Sequence, residues 1–360
     1  MKDIIIIGAG IMGSTVAYEL SKYDADVLVI EKASEAGTDV TRHNSAIIHN
    51  GTDPKAGTLK EKYNLIGSKM YEEYAKALNV PFKRVGGFVL ATHPEDKAHI
   101  DELIENAKAR DVFVERLSKE EALKLEPNLS DDVIEVLNMP TVAIVEPQLM
   151  AQHALKRAID DGVKVAFDEK VVDIKVLDEG FEVITDKNKY QARAVVNAAG
   201  LHASEIERLV SEPTFELHFI RGDYIMLSSE AMSMTSRVLY PTAGPKGKGV
   251  LVVPTVHDAM LIGPTAVEVY SPEDDDWTKE SIEDIKLKMP YLLKEVPYDK
   301  EIMRVSGIRP KASHNDFIIE ESPHVKHFFN LAGIDSPGIS AAPAIATDFV
   351  HIMLKEKLNL

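Results

Sequence analysis

The chain has 360 residues, 45% of them hydrophobic and 28% charged, which is material for two domains at ~150 residues each and not the composition of a disordered protein. Its formal charge of −17 repels phosphate backbones, so nucleic acid is excluded as a partner and an anionic substrate needs its own Arg or Lys inside a pocket. The absence of cysteine excludes disulfides, thiolate catalysis, Cys-ligated zinc and iron–sulfur clusters. No apolar run is long enough to span a bilayer and no leader segment is recognisable, so the expectation is a soluble, cytoplasmic protein.

The β-branched run Ile4-Ile5-Ile6-Ile7 suits a strand buried on both faces of a parallel sheet. It enters Gly8-Ala9-Gly10-Ile11-Met12-Gly13, a G-x-G-x-x-G at a strand-to-helix junction. Helical spacing follows through Lys22, and a second apolar run, 27–30, ends in Glu31-Lys32. Gly8 permits the tight turn, Gly10 lets a pyrophosphate approach the backbone, and Gly13 lets the helix pack close on the strand. The helix N-terminus turns N–H groups and partial positive charge toward phosphates. Glu31 can accept hydrogen bonds from both hydroxyls of an adenosine ribose. An acid at this place predicts an unphosphorylated ribose, hence FAD or NAD rather than NADP.

Residues 41–51 read as a polar loop entering a short strand. A helix is predicted over 58–78, a strand over 84–92 interrupted at Gly86-Gly87, and a polar-faced helix over 94–110. Ser118-Lys119-Glu120-Glu121 opens a short helix with a capping-box-like start. A helix over 147–160 precedes four closely spaced strands at 163–167, 170–177, 181–185 and 190–196, which end in Asn197-Ala198-Ala199-Gly200. Residues 215–226 and 249–263 read as antiparallel strands, and the acidic 273–276 segment as a solvated loop or helix start without function. A strand over 328–332 runs into Gly333 and a Ser336-Pro337-Gly338 turn, followed by a helix from about 341 to 355. This is a second helix N-terminus pointed out of a sheet, and one dinucleotide can use both.

In this order, the Gly8–Glu31 unit, the Arg42-His43-Asn44-Ser45…His49 loop, Asn197-Ala198-Ala199-Gly200 and Ala332-Gly333…Ser336-Pro337-Gly338-Ile339 resemble the D-amino-acid-oxidase-type FAD-dependent oxidoreductases. Within them the chain is most similar to the short, mycoplasma-like glycerol-3-phosphate oxidases and dehydrogenases, with L-2-hydroxyglutarate oxidases as near cousins. The resemblance implies a mixed α/β fold: a Rossmann-like FAD-binding domain (1–80, 141–212 and 301–360) interleaved with an antiparallel-sheet substrate domain (81–140 and 213–300). The catalytic cavity would lie between them.

The same resemblance implies noncovalent FAD, because covalent flavin in similar proteins uses a cysteine. Gly8, Gly10 and Gly13 would hold the pyrophosphate, and Glu31, with Lys32 beside it, the ribose. Asn44 and Ser45 would contact the pyrophosphate or ribityl chain, Val171 or Val172 the adenine side, and Gly200 would pack by the dinucleotide. Gly333, Gly338, Ile339 and Ser340 would bring backbone to the flavin's pyrimidine end. His43 either touches flavin or bonds to backbone.

His49 would take the proton of a substrate hydroxyl while hydride leaves for flavin N5. Arg309, in Ser306-Gly307-Ile308-Arg309-Pro310, would hold a carboxylate or phosphate. Lys248 would bind phosphate or is a mobile surface lysine, and Arg221 and Tyr224 would line the cavity. The histidines show no metal-like pairing with acidic neighbours, and no metal is assigned. The expected reaction is sn-glycerol 3-phosphate to dihydroxyacetone phosphate, with L-2-hydroxyglutarate or an amino acid as alternative donors. A non-catalytic flavin- or nucleotide-binding protein and an NAD-linked dehydrogenase are the alternatives of other kinds. The electron acceptor stays open between dioxygen, a quinone and a soluble carrier.

Overall fold

In the computed structural model, which describes residues 1–242 and 249–358, Lys2–Ile7 takes the interior place that its β-branched run demands. It pairs in parallel with Val27–Ile30 on one side and with Lys189–Asn197 on the other. Strand alternation sends Ile4 and Ile6 to one face and Ile5 and Ile7 to the other. The first pair packs with Val16, Ala17 and Leu20 of the helix Ile11–Leu20, and the second with Val171, Ile174 and Phe181.

Eight strands form this sheet. Lys189–Asn197 divides one of its edges between two partners: its first half pairs antiparallel with Phe181–Thr185, its second half in parallel with Phe328–Ala332. Helices Leu59–Ala77, Pro147–Asp160 and Gly338–Asp348 add Tyr71, Ala154 and Ile345 to the same core as Ile4 and Ile6. The first and last of these helices approach so closely that a Cβ on Gly67 would lie 2.1 Å from the Ser340 carbonyl oxygen.

A nine-stranded sheet forms the second layer system. Its pairings are antiparallel except for Val238–Pro241 against Gly87–Ala91. Its core brings Phe88, Val136, Ile225 and Val252 against Ile282 and Ile285 of the helix Lys279–Lys288. A small sheet of Ile47–Ile48, Ala143–Val145 and Phe82–Arg84 lies beside the two large ones.

The single strand expected over 84–92 is two. Gly86, at φ 71°, redirects the chain, so Phe82–Arg84 joins the small sheet and Gly87–Ala91 the nine-stranded one. The C-terminal helix begins at Gly338, three residues before its expected start, and continues as a wide-turn segment over Phe349–Leu354. Glu301–Ala312, grouped by sequence with the dinucleotide unit, is a strand of the nine-stranded sheet, because it pairs with Leu217–Leu227 along their length. Among the described residues no helix is long and apolar enough to cross a membrane.

Candidate active site

Two of the three N-terminal glycines are required by contact. Gly8 sits at φ +100°, and a Cβ on it would meet the Ala198 carbonyl oxygen at 2.5 Å. A Cβ on Gly13 would fall 1.9 Å from the Gly8 carbonyl oxygen, so the helix can lie this close to the strand only with glycine there. Gly10 caps the helix without a side-chain acceptor of its own; the Ile11 N–H donates instead to Thr41 Oγ1 at 2.9 Å. Thr41 is a neighbour of the glycine elbow that the sequence pattern does not reveal, because its partner lies across a loop. Glu31 is buried, and its two carboxylate oxygens accept from the Ala9 N–H (2.7 Å) and the Ala33 N–H (2.8 Å). Those bonds fix the carboxylate while each oxygen keeps a lone pair for a ligand hydroxyl. Lys32 lies 3.0 Å from His202 Nε2 and 3.4 Å from Asp39 at the same end.

A cleft of about 2220 Å³ runs from this glycine elbow, past Gly200 at φ +58°, to the turn 333–338. That exceeds the ~300–1,000 Å³ usual for one small ligand and has room for a dinucleotide together with a substrate. The residues present fit such a group. A glycine elbow, a tethered acid and two helix N-termini whose N-cap residues, Gly10 and Pro337, supply no side-chain acceptor of their own face one cavity. Val172, 48% exposed, lines the cleft beside the buried Val171.

The 42–49 loop is held chiefly by its own side chains. Asn44 lines the cleft, yet its Nδ2 donates to the Val40 and Thr41 carbonyls (3.1 and 2.8 Å) and its Oδ1 accepts from the Ala46 N–H (2.8 Å). Its amide thus stabilises the turn that puts Ala46 at φ 56°. His43 is not among the cleft-lining residues: it packs against Gly307, where a Cβ would meet the His43 carbonyl oxygen at 2.3 Å. Burial lowers the pKa of its imidazole. Ser45 Oγ lies 3.3 Å from the Tyr224 hydroxyl.

His49 opens onto the cleft, with its main-chain N–H donating to Ser340 Oγ at 2.9 Å and its Nδ1 3.5 Å from the Tyr240 hydroxyl. Ser340 is fully buried and donates in turn to the Ile47 carbonyl (3.3 Å). Its side chain therefore ties the C-terminal helix to the segment 47–49 and does not face the cleft. Gly333, Gly338 and Ile339 do line the cleft, although the Gly338 N–H is taken by the Asp335 carbonyl at 2.5 Å. The first-turn N–H of Ile339 has no intrahelical partner.

From the nine-stranded sheet, Arg309 and Tyr224 line the cleft. Arg309 Nη2 donates to the Thr265 carbonyl at 2.9 Å, and burial raises the pKa of the Tyr224 phenol. Arg221 does not join them. It lies three residues before Tyr224 on one strand, so alternation turns it to the opposite face. There its Nε sits 3.2 Å from Asp223 Oδ1 and its Nη1 3.4 Å from Asp274, a member of the acidic segment that carried no function by sequence. Lys248 lies outside the described residues.

Sequence reasoning also misses an ion pair at the far end of the cleft. Lys60 Nζ lies 2.6 Å from Asp335, both side chains only 11% and 12% exposed. Burial raises the Asp335 pKa, opposed by Lys60 and by the nearby Arg309 and Lys311. Only tertiary structure brings these segments together. Among the described residues no cluster of His, Asp and Glu is arranged to hold a metal.

A family model described as FAD dependent oxidoreductase matches residues 3–351. The chain is 39% identical over 354 residues to a glycerol 3-phosphate dehydrogenase of Caloramator mitchellensis, covering 98% of this chain and 74% of that protein. It is 26% identical over 406 residues to a mitochondrial L-2-hydroxyglutarate dehydrogenase of Arabidopsis thaliana, covering 98% and 83%. Among solved structures, the dithionite-reduced L-α-glycerophosphate oxidase of Mycoplasma pneumoniae with FAD bound matches with a TM-score of 0.94 at 27% identity, over 100% of this chain and 95% of that one.

Proposed function

As the chain belongs to the family of FAD dependent oxidoreductases, we propose that it oxidises the secondary hydroxyl of sn-glycerol 3-phosphate to dihydroxyacetone phosphate. The observation that carries this reading is the opening of His49 and Arg309 onto the one cleft whose other end is the glycine elbow and Glu31. The glycerol 3-phosphate dehydrogenase and the glycerophosphate oxidase matched over nearly the whole chain support the choice of substrate.

FAD, when bound, supplies the hydride acceptor. In our reading the eight-stranded unit holds it through Gly8, Gly10, Glu31, the 333–339 turn and the backbone near Val172 and Gly200. The nine-stranded sheet supplies the substrate wall. His49 takes the hydroxyl proton. An imidazole is the side chain best suited to accept a proton near neutral pH. Ser340 fixes its backbone, and the Tyr240 hydroxyl faces its Nδ1. Arg309 gives one N–H to Thr265 and keeps the rest of its fork for phosphate oxygens. Tyr224, kept neutral by burial, is a hydrogen-bond donor beside Ser45. With the O–H proton held by His49, bound FAD would supply the acceptor for the C–H hydrogen and its electron pair, which balances the formation of the ketone.

Anaerobic addition of sn-glycerol 3-phosphate to the FAD-loaded protein should bleach the yellow absorption band, with L-2-hydroxyglutarate giving a much slower change. No bleaching at millimolar glycerol 3-phosphate would remove this substrate, and faster bleaching by L-2-hydroxyglutarate would replace it.

A further inference from the structure

The strand Leu217–Leu227 has two successive neighbours on one side. Met260–Gly263 pairs with Ile225, Met226 and Leu227, and Val267–Val269 with Phe219, Ile220 and Arg221. Between them the chain leaves the ladder for Pro264-Thr265-Ala266, and all three residues line the cleft. Opposite this break the Asp223 N–H donates to Thr265 Oγ1 at 3.0 Å, while the Thr265 N–H donates to the Asp223 carbonyl at 3.2 Å. A side-chain hydroxyl thus takes the acceptor position of a ladder carbonyl, and Thr265 is clamped to one residue by two bonds. Breaks of this kind re-aim groups beside active sites.

The group re-aimed here is the Thr265 carbonyl, which accepts from Arg309 Nη2 at 2.9 Å. Gly222 makes room for the arrangement: a Cβ on it would lie 2.7 Å from Pro264 Cβ and 3.4 Å from Arg309 Nη2. The base of the clamp is itself fixed. Asp223 is fully buried, its carboxylate accepting from Ser306 Oγ at 2.7 Å with Arg221 Nε 3.2 Å away.

We propose that Thr265 is a positioning residue, whose hydroxyl clamp on Asp223 aims the carbonyl that sets the Arg309 guanidinium for an anionic substrate. The inference rests on the role proposed above for Arg309. A guanidinium already held at one N–H loses less freedom when its remaining fork closes on a phosphate. Removing the clamp weakens anion binding before it slows the proton and hydride transfers, so KM moves more than kcat.

The test uses FAD-loaded protein and inorganic phosphate, titrated by the perturbation of the flavin spectrum, so that neither turnover nor the identity of the donor enters. Thr265→Val keeps the volume and loses the hydroxyl; it should weaken phosphate binding about tenfold, and Thr265→Ser should restore it. KM for glycerol 3-phosphate should rise by a similar factor with a smaller fall in kcat. In an Arg309→Ala background the Val substitution should have no further effect, because the two residues act as one unit. Phosphate affinity unchanged by Thr265→Val, or lowered equally with and without Arg309, overturns the inference. Thr265→Ala serves in the same comparison if the Val variant does not retain flavin. Phosphate binding untouched by Arg309→Ala alone would remove the anion role of Arg309, and the clamp's purpose with it, while leaving FAD chemistry intact.

Discussion

His49 is fixed on two sides: its main chain by Ser340 and its ring by Tyr240, which lies 6.0 Å away between ring centres. His49→Asn keeps a hydrogen-bonding side chain of similar reach but cannot accept a proton at neutral pH. Stopped-flow bleaching by glycerol 3-phosphate should slow by about 10²–10⁴ while the purified protein stays yellow. A rate within tenfold of the parent would remove His49 from the chemistry. Legibility at this scale follows from what a residue touches. Gly13 and Glu31 are readable because their partners Gly8 and Ala9 lie in the same strand–helix–strand unit, and Gly8 is readable from its motif although the contact that requires it, the Ala198 carbonyl, is distant in sequence. Thr41, Thr265 and the Lys60–Asp335 pair are not, since their partners come from distant segments. Arg221 is instructive in another way: its charge suggests a substrate, but a single strand step puts it on the wrong face, against Asp223 and Asp274.

Among elements, the approach of Leu59–Ala77 to Gly338–Asp348 matters most for the site, because the second helix carries Ser340 and through it the His49 backbone. Gly67→Ala would press a methyl group to within 2.1 Å of a main-chain oxygen, which a side-chain shift cannot relieve. The expected cost is on the order of 2 kcal/mol, seen as a lower Tm, with slower bleaching because the helix drags Ser340 from the loop. An unchanged Tm would mean that the two helices separate at no cost. The elements themselves were legible where periodicity is long, as in Leu59–Ala77 and Pro147–Asp160. They are less legible where one residue redirects the chain, as Gly86 does, or where pairing decides sheet membership, as for Glu301–Ala312.

For the molecule as a whole, the cleft borders both large sheets and also reaches the exposed His93 and Tyr291. We expect peroxide to accumulate nearly mole for mole with ketone in air-saturated buffer. Peroxide below about a tenth of the ketone would instead assign the electrons to a quinone or a soluble carrier. The division of Lys189–Asn197 between two partners bears on how the chain is made. Its second half waits for Phe328–Ala332, and the core over Ile4 and Ile6 waits for Ile345. A nascent polypeptide therefore completes Lys189–Asn197 long before one of its sheet neighbours exists, and the cofactor cradle closes only after Phe328–Ala332 and the helix that follows it have been made.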